Sequence, residues 1–268
     1  MSDIIKSLKN LKELDGLARE DSAIHRISPV AKLAVTLAYI VILTSFGRYE
    51  TTSLLPYVLY PVIVFAACNI KAGPILIRTL YVLPLVAFIG VFNLLFEKGT
   101  FILGETAVSA GWFTLMSLLL KCCLSVAAAL LLMATTGMDK IAHALRKLKV
   151  PKLFVLQLVL TYRYISVLIE EAGCISRAYA LRSPKHKAIR PRAWGPLIGL
   201  MLLRTYGRAQ RVYDAMCIRG FDGDYLTCGS PKMRAGDWAF MLGWTAGFIL
   251  ARIVDIPAFI GKLITGVM

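Results

Sequence analysis

Five long apolar stretches constrain this chain more than any other feature of its sequence. Each is long enough to cross a hydrocarbon layer of about 30 Å as a helix. Because backbone groups inside lipid must be hydrogen-bonded within the protein, the pattern predicts an all-α, polytopic integral membrane protein. We expect about five to six transmembrane helices, the sixth depending on the apolar tail after Asp255. The stretches cover about Val30–Phe46, Leu54–Ile70, Ile75–Phe96, Trp112–Thr136 and Trp238–Val254.

The positive charge is concentrated in one part of the chain. Residues 139–236 contain 18 Lys and Arg but 6 Asp and Glu, so most of the formal net charge of +15 lies there. Cytoplasmic loops are enriched in Lys and Arg, and we therefore predict that this region is cytoplasmic. Counting spans backwards then places the N-terminus and the 71–78 loop inside the cell, with the 47–53 and 97–111 loops outside.

These assignments divide the chain into four predicted parts. Residues 1–29 form a cytoplasmic N-terminal segment, which is amphipathic between Ile4 and Leu14 and suits a membrane surface or a helix face. It has no apolar core of a cleavable signal peptide, so we expect none. A four-span transmembrane region (30–136), a cytoplasmic region of two long coupling helices (137–236) and a C-terminal transmembrane region (237–268) follow.

Two predicted helices in the basic region have similar endings. One closes on Leu181-Arg182-Ser183 and the other on Ile218-Arg219-Gly220, where Gly220 suits a helix C-cap. A planar guanidinium can pair with carboxylates inside a groove of a partner, whereas attraction to lipid needs no arginine at each helix tip. We predict that these two helices carry the function. Three supporting cations share one face of the second helix: Arg204, Arg208 and Arg211.

Motifs for catalysis, metals and nucleotides are missing from the sequence. There is no phosphate-binding loop, no C-x-x-C, and His25, His143 and His186 are far apart. We therefore expect no catalytic residue, no metal site, no cofactor and no nucleic-acid partner. The six cysteines are predicted to be reduced and structural. Lys121 is the one charge well inside a span, which makes it a functional candidate, although such lysines are more often paired.

Three segments carry a resemblance to a known family. They are L-L-R-T-Y-G-R-A-Q-R-V-Y-D-A-M-C-I-R-G-F-D-G, I-H-R-I-S-P-V-A-K-L and M-D-K-I-A-H-A-L-R-K-L-K-V-P-K. They resemble the transmembrane T component of energy-coupling factor transporters, in particular its cobalt-type, CbiQ-like members. The resemblance extends over nearly the whole chain, and the arginine-rich segment is its specific part.

The resemblance implies a scaffold in the cell membrane with three partners. The family's T protein joins a pair of cytoplasmic ABC-type ATPases to a substrate-binding membrane subunit and is surrounded by lipid. Its coupling helices end in Ala-Arg-Ser or Ala-Arg-Gly motifs that sit in grooves of the ATPases. By position these correspond to Arg182 with Ser183 and Arg219 with Gly220, while Leu181 and Ile218 replace the alanine.

Three interpretations of the function follow. The resemblance implies that ATP hydrolysis by the partners drives cobalt import for cobalamin synthesis. The same scaffold could instead serve nickel or a vitamin, since the partner subunit selects the cargo. From a different class, the chain could be a phospholipid-modifying membrane enzyme, because Asp15-Gly16-Leu17-Ala18-Arg19 matches the start of a phosphotransferase motif. After Asp15 the sequence has Asp21 and then no aspartate until Asp139, so the series of metal-binding aspartates that this chemistry needs is incomplete.

Overall fold

The computed structural model shows an all-α membrane protein and describes residues 24–25, 27–47, 50–68, 72–96, 100–103, 106–183, 189–223 and 233–253. The predicted amphipathic segment between Ile4 and Leu14, the motif at Asp15 and the tail after Asp255 lie outside these residues.

Helices account for nearly all of the described chain. A 3-10 helix, Thr52–Val58, leads directly into the α-helix Leu59–Cys68. Strands β1 (Thr100–Leu103) and β2 (Thr106–Ser109) pair as an antiparallel hairpin, where the sequence predicted a loop. The α-helices are α1 (Pro29–Thr44), α2 (Leu59–Cys68), α3 (Ala72–Phe96), α4 (Ala110–Thr136), α5 (Met138–Lys147), α6 (Lys152–Arg182), α7 (Pro191–Ile218) and α8 (Ala235–Ile253).

All five predicted spans are helical, but they differ in length. The described helices that are long and apolar enough to cross a membrane are α3, α4 and α6, whereas α1 and the segment Thr52–Cys68 are shorter apolar helices. The sequence analysis placed α6 in the predicted cytoplasmic region 137–236. With 31 residues, α6 also has the length and hydropathy to cross a membrane. The sides of the membrane assigned from the sequence remain predictions.

Two compact units make up the chain. The anchor unit comprises residues 17–137 and 231–268 and contains α1 to α4 and α8. The arginine-helix unit comprises residues 1–16 and 138–230 and contains α5 to α7. The four domain boundaries predicted from the sequence remain predictions.

Aromatic side chains form the core of the anchor unit around α1. Tyr39 is fully buried, with its ring centroid 4.7 Å from that of Tyr60 and 5.3 Å from that of Phe248. Its hydroxyl donates to the Tyr57 carbonyl at 3.0 Å, and the Tyr57 hydroxyl donates to the Phe248 carbonyl at 2.8 Å. Because each of these buried hydroxyls has a specific acceptor, the polar atoms fix how α1, the 3-10 helix and α8 pack.

The beginning of α1 is held by charged groups from distant parts of the sequence. The buried carboxylate of Asp237 accepts the Ser28 amide at 2.9 Å and the Arg234 amide at 2.8 Å, so it serves the starts of both α1 and α8. The Lys32 ammonium, also buried, donates to the Thr135 carbonyl at 3.0 Å. Helix starts leave unpaired amides and favour negative charge, which explains why an aspartate occupies this position.

The end of α1 is held by cations from two other helices. Lys121 of α4 donates to the carbonyls of Phe46 and Gly47 at 2.8 and 2.9 Å. Arg252 of α8 donates to the Ser45 carbonyl at 3.3 Å and lies 4.6 Å from the Phe46 ring centroid. The last turn of α1 has no basic residue of its own. Lys121, a functional candidate in the sequence, therefore stabilises a helix C-terminus.

Candidate functional site: the arginine helices

The arginine-helix unit is built on a small core between α5 and α6. Ala142 of α5 packs against Val155 and Val159 of α6. Lys149, two residues after the end of α5, has φ 63°, and the Val150 amide donates to the Leu145 carbonyl at 3.2 Å. This arrangement is a Schellman turn with lysine at the left-handed position that glycine usually takes.

Most of the surface of α6 and α7 is not packed against other described residues of the unit. No residue of α7 is buried. A continuous helix with this much exposed apolar area indicates contact with lipid or another protein. The exposed large apolar residues on the two helices are Leu153, Phe154, Leu181, Trp194, Ile198, Leu200, Leu202, Leu203, Tyr206, Tyr213 and Ile218.

The tip of α6 presents an exposed arginine. Arg182 is the last helical residue, and Leu181 before it is 82% exposed. The Ser183 amide donates to the Tyr179 carbonyl at 3.0 Å, which closes the final turn. The Tyr179 hydroxyl also accepts the Arg190 amide at 3.4 Å, so the end of α6 is joined to the start of α7.

The tip of α7 is a Schellman turn around Arg219. Gly220 has φ 81°, its amide donates to the Cys217 carbonyl at 3.0 Å, and the Phe221 amide donates to the Met216 carbonyl at 3.0 Å. This confirms the prediction that Gly220 ends the helix, in the left-handed position just after the C-cap residue. Arg219 is the C-cap residue and is exposed, and Ile218 before it is 87% exposed. Both tips thus present a bulky aliphatic side chain followed by an arginine.

The two tips lie at opposite ends of α7. The bond from Arg190 to Tyr179 holds the end of α6 beside the first turn of α7, whereas Arg219 follows its last turn. A helix of 28 residues is about 40 Å long at 1.5 Å per residue. Arg182 and Arg219 are therefore separated by roughly the length of α7.

The three supporting arginines meet in a groove between α6 and α7. Arg204, Arg208 and Arg211 all border this groove, whose volume is about 300 Å³. Glu171 of α6 accepts a hydrogen bond from Arg204 at 2.6 Å. The shared helical face predicted from their spacing is therefore real, and it faces α6.

No cluster of three His, Cys, Asp or Glu side chains that could hold a metal occurs among the described residues. The only described histidine in the arginine-helix unit is His143. Its pKa is lowered, first by burial and then by the positive charges of Lys147 and Arg146, which disfavours its protonated form. The five cysteines in the described ranges are free.

Two contributors to this site were missed by the sequence reasoning. Glu171 neutralises Arg204, and Tyr179 joins the two helices. The sequence could have indicated the role of Glu171, because Glu170 and Glu171 are adjacent acids in a strongly cationic region. Nothing in the sequence singled out Tyr179, whose role depends on how α6 and α7 meet.

Comparison with known proteins adds three relatives. An uncharacterised protein of Methanocaldococcus jannaschii is 30% identical over 44% of this chain and 41% of its own length. The nickel permease LarQ of Lactiplantibacillus plantarum is 32% identical over 44% of this chain and 43% of its own. These two matches thus span less than half of each relative. The energy-coupling factor transporter transmembrane protein EcfT of Limosilactobacillus fermentum is 26% identical over 76% of this chain and 82% of its own.

A family model supplies the more extensive match. The model of the cobalt transport protein family CbiQ matches residues 20–227. This range includes α1 to α7 and both arginine tips, so it covers the helices that carry the candidate site as well as most of the anchor. The chain therefore belongs to the cobalt transport protein family CbiQ.

Proposed function

We propose that this protein is the membrane scaffold of an energy-coupling factor importer, which couples ATP hydrolysis by partner ATPases to uptake by a substrate-binding membrane subunit. The observation that carries the proposal is the pair of exposed arginine tips at opposite ends of α7. A separation of about 40 Å, from 28 residues of helix, suits two separate sockets better than one. Two ATPase subunits would provide such sockets.

Each tip combines charge with apolar contact. Arg182 and Arg219 can pair with carboxylates of an ATPase groove, and Leu181 and Ile218 can fill apolar space beside them. The backbone at both tips is fixed by hydrogen bonds, since Ser183 and Gly220 each donate to their own helix. A fixed tip transmits movement of the ATPases into the helix behind it.

The exposed faces of α6 and α7 suit the substrate-binding subunit. The first half of α7, from Trp194 to Leu203, has no charged residue. Gly195 and Gly199 lie one turn apart there, and a Cβ built at either would meet nothing within 4 Å. Small residues on an exposed apolar helix allow close approach by another membrane helix.

Cobalt is the cargo we propose first, because the matching family is described as a cobalt transport protein. Nickel is the second candidate, since one relative is a nickel permease. A vitamin remains the third. The cargo would be selected by the substrate-binding subunit. We assign no catalytic step to the chain itself, and we place it in the cell membrane with its N-terminus in the cytoplasm.

The test is co-purification from solubilised membranes in which the chain is expressed with its ATPases. Arg182→Ala with Arg219→Ala should abolish ATPase retention, because both sockets lose their charged anchor, while membrane insertion stays normal. The matched control is Arg190→Ala with Arg192→Ala, which removes two exposed arginines near the start of α7 and should leave retention intact. Full ATPase retention in the tip variant would overturn the proposal.

The phospholipid-enzyme alternative has its own test. Asp15→Ala should leave uptake unchanged if the chain is a scaffold, whereas an enzyme using Asp15 would lose its activity. Purified chain incubated with radiolabelled phospholipid precursors should yield no product. Product formation that Asp15→Ala abolishes would favour the enzyme.

A further inference from the structure

The groove between α6 and α7 is bordered by both cationic and apolar side chains. The cationic ones are Arg204, Arg208 and Arg211 of α7. The apolar ones are Val167 and Leu168 of α6 and Leu203 of α7, which is 72% exposed. A volume of about 300 Å³ is at the lower end of ligand pockets, which start at about 300 Å³.

Two of the three arginines, Arg208 and Arg211, have guanidinium groups that can bind an anion. Arg204 is paired with Glu171, the one acid among the described residues that border the groove. Neither Arg208 nor Arg211 has an ion pair with any residue in the described part of the chain. The Arg211 guanidinium extends over Gly207, with its Nη1 atom 3.6 Å from the place where a Cβ would lie. The Arg211 guanidinium thus occupies the space over Gly207.

The groove also marks a change of polarity along both helices. In α6 the mostly apolar run before Ile169 gives way to Glu170 and Glu171. In α7 the uncharged run that ends at Leu203 gives way to Arg204. Because Glu171, Leu203 and Arg204 all border the groove, a ligand there contacts both charged and apolar side chains.

From this arrangement we propose that the groove binds an anionic phospholipid. The phosphodiester lies against Arg208 and Arg211, whose planar guanidinium groups can each donate two hydrogen bonds to phosphate oxygens. The acyl chains lie over Val167, Leu168 and Leu203. Basic pockets between helices of membrane proteins bind anionic headgroups through the same chemistry. This site is separate from the two arginine tips and does not depend on their role.

Native mass spectrometry of the full chain tests the proposal. The probe is an equimolar mixture of phosphatidylglycerol and phosphatidylcholine. We expect the wild type to retain phosphatidylglycerol preferentially. Arg208→Gln with Arg211→Gln should lower its affinity about 25-fold, from about fivefold for each cation near an anionic headgroup. Thermal unfolding should be unchanged, because both side chains are exposed.

The matched control is Arg190→Gln with Arg192→Gln. It removes the same charge from exposed positions outside the groove and should keep phosphatidylglycerol bound. An equal loss in both variants, or no loss in either, would overturn the site. Glycerol 3-phosphate at the lipid's concentration should fail to displace it, because it lacks acyl chains. Complete displacement would assign the groove to a soluble phosphate and overturn the assignment to lipid.

Discussion

The anchor unit and the arginine-helix unit use charged residues in opposite ways. In the anchor unit, Asp237, Lys32 and Lys121 are bonded to backbone groups at helix ends. In the arginine-helix unit, Arg182 and Arg219 extend from helix tips as exposed side chains. The first set holds helices together within the chain, and the second set is available to partners.

The physical reason for the difference is the environment of each charge. A buried charge is costly unless it is hydrogen-bonded, so every retained one must have a structural partner. An exposed charge costs little, and an exposed ion pair contributes little to stability. Changes to charge should therefore destabilise the anchor unit, while in the arginine helices they should weaken binding and leave stability nearly unchanged.

The largest effect on stability is expected for Asp237→Ala. The change leaves the Ser28 and Arg234 amides without their carboxylate, and each bond to a charged acceptor contributes about 1.5–3 kcal/mol. We expect a loss of about 3 kcal/mol or more, seen as a lower Tm of the detergent-purified chain by tryptophan fluorescence. The control Asp214→Ala removes an exposed acid of α7 and should change stability by less than about 0.5 kcal/mol. Equal effects would refute the contrast between the two units.

A smaller loss is expected for Lys121→Met, which keeps the side-chain length and removes the ammonium. The Phe46 and Gly47 carbonyls lose their donor, while Arg252 still serves the same helix end. We expect a loss of about 2 kcal/mol, measured by the same unfolding assay. Lys140→Met, at an exposed position of α5, is the control. An unchanged Tm for Lys121→Met would contradict this structural role, and Lys121 would again be a candidate for a direct role in function.

Much of the helical framework could be predicted from the sequence, because its signal is local. Apolar runs of bilayer length located all five anchor helices to within a few residues. The end of α7 was also predictable, since a glycine after a periodic helix favours the left-handed conformation found at Gly220. The 3-10 segment Thr52–Val58 and the hairpin β1–β2 were missed, because neither has a periodic pattern long enough to detect.

The contacts between distant segments were not predictable. Ser28 and Asp237 are 209 residues apart in the chain, and Lys121 and Phe46 are 75 apart. Their pairing depends on which helices become neighbours, and one sequence contains no information of that kind. The groove shows the intermediate case. The spacing of Arg204, Arg208 and Arg211 predicted a shared face, but only the packing of α6 supplies Glu171.

The smallest effects should come from the two Schellman turns of the arginine-helix unit, which differ in the residue at the left-handed position. Gly220 at φ 81° can adopt this conformation without strain, whereas Lys149 at φ 63° has a Cβ that crowds the carbonyl. Gly220→Ala should therefore cost about 1 kcal/mol, and Lys149→Gly should gain up to about 1 kcal/mol. Gly220→Ala should also lower ATPase retention, because the turn orients Arg219, while Lys149→Gly should not. A pair of variants that shift Tm in opposite directions, with only the first weakening the complex, would locate the partner-binding role at the tip of α7. Shifts of the same sign would contradict the strain assigned to Lys149.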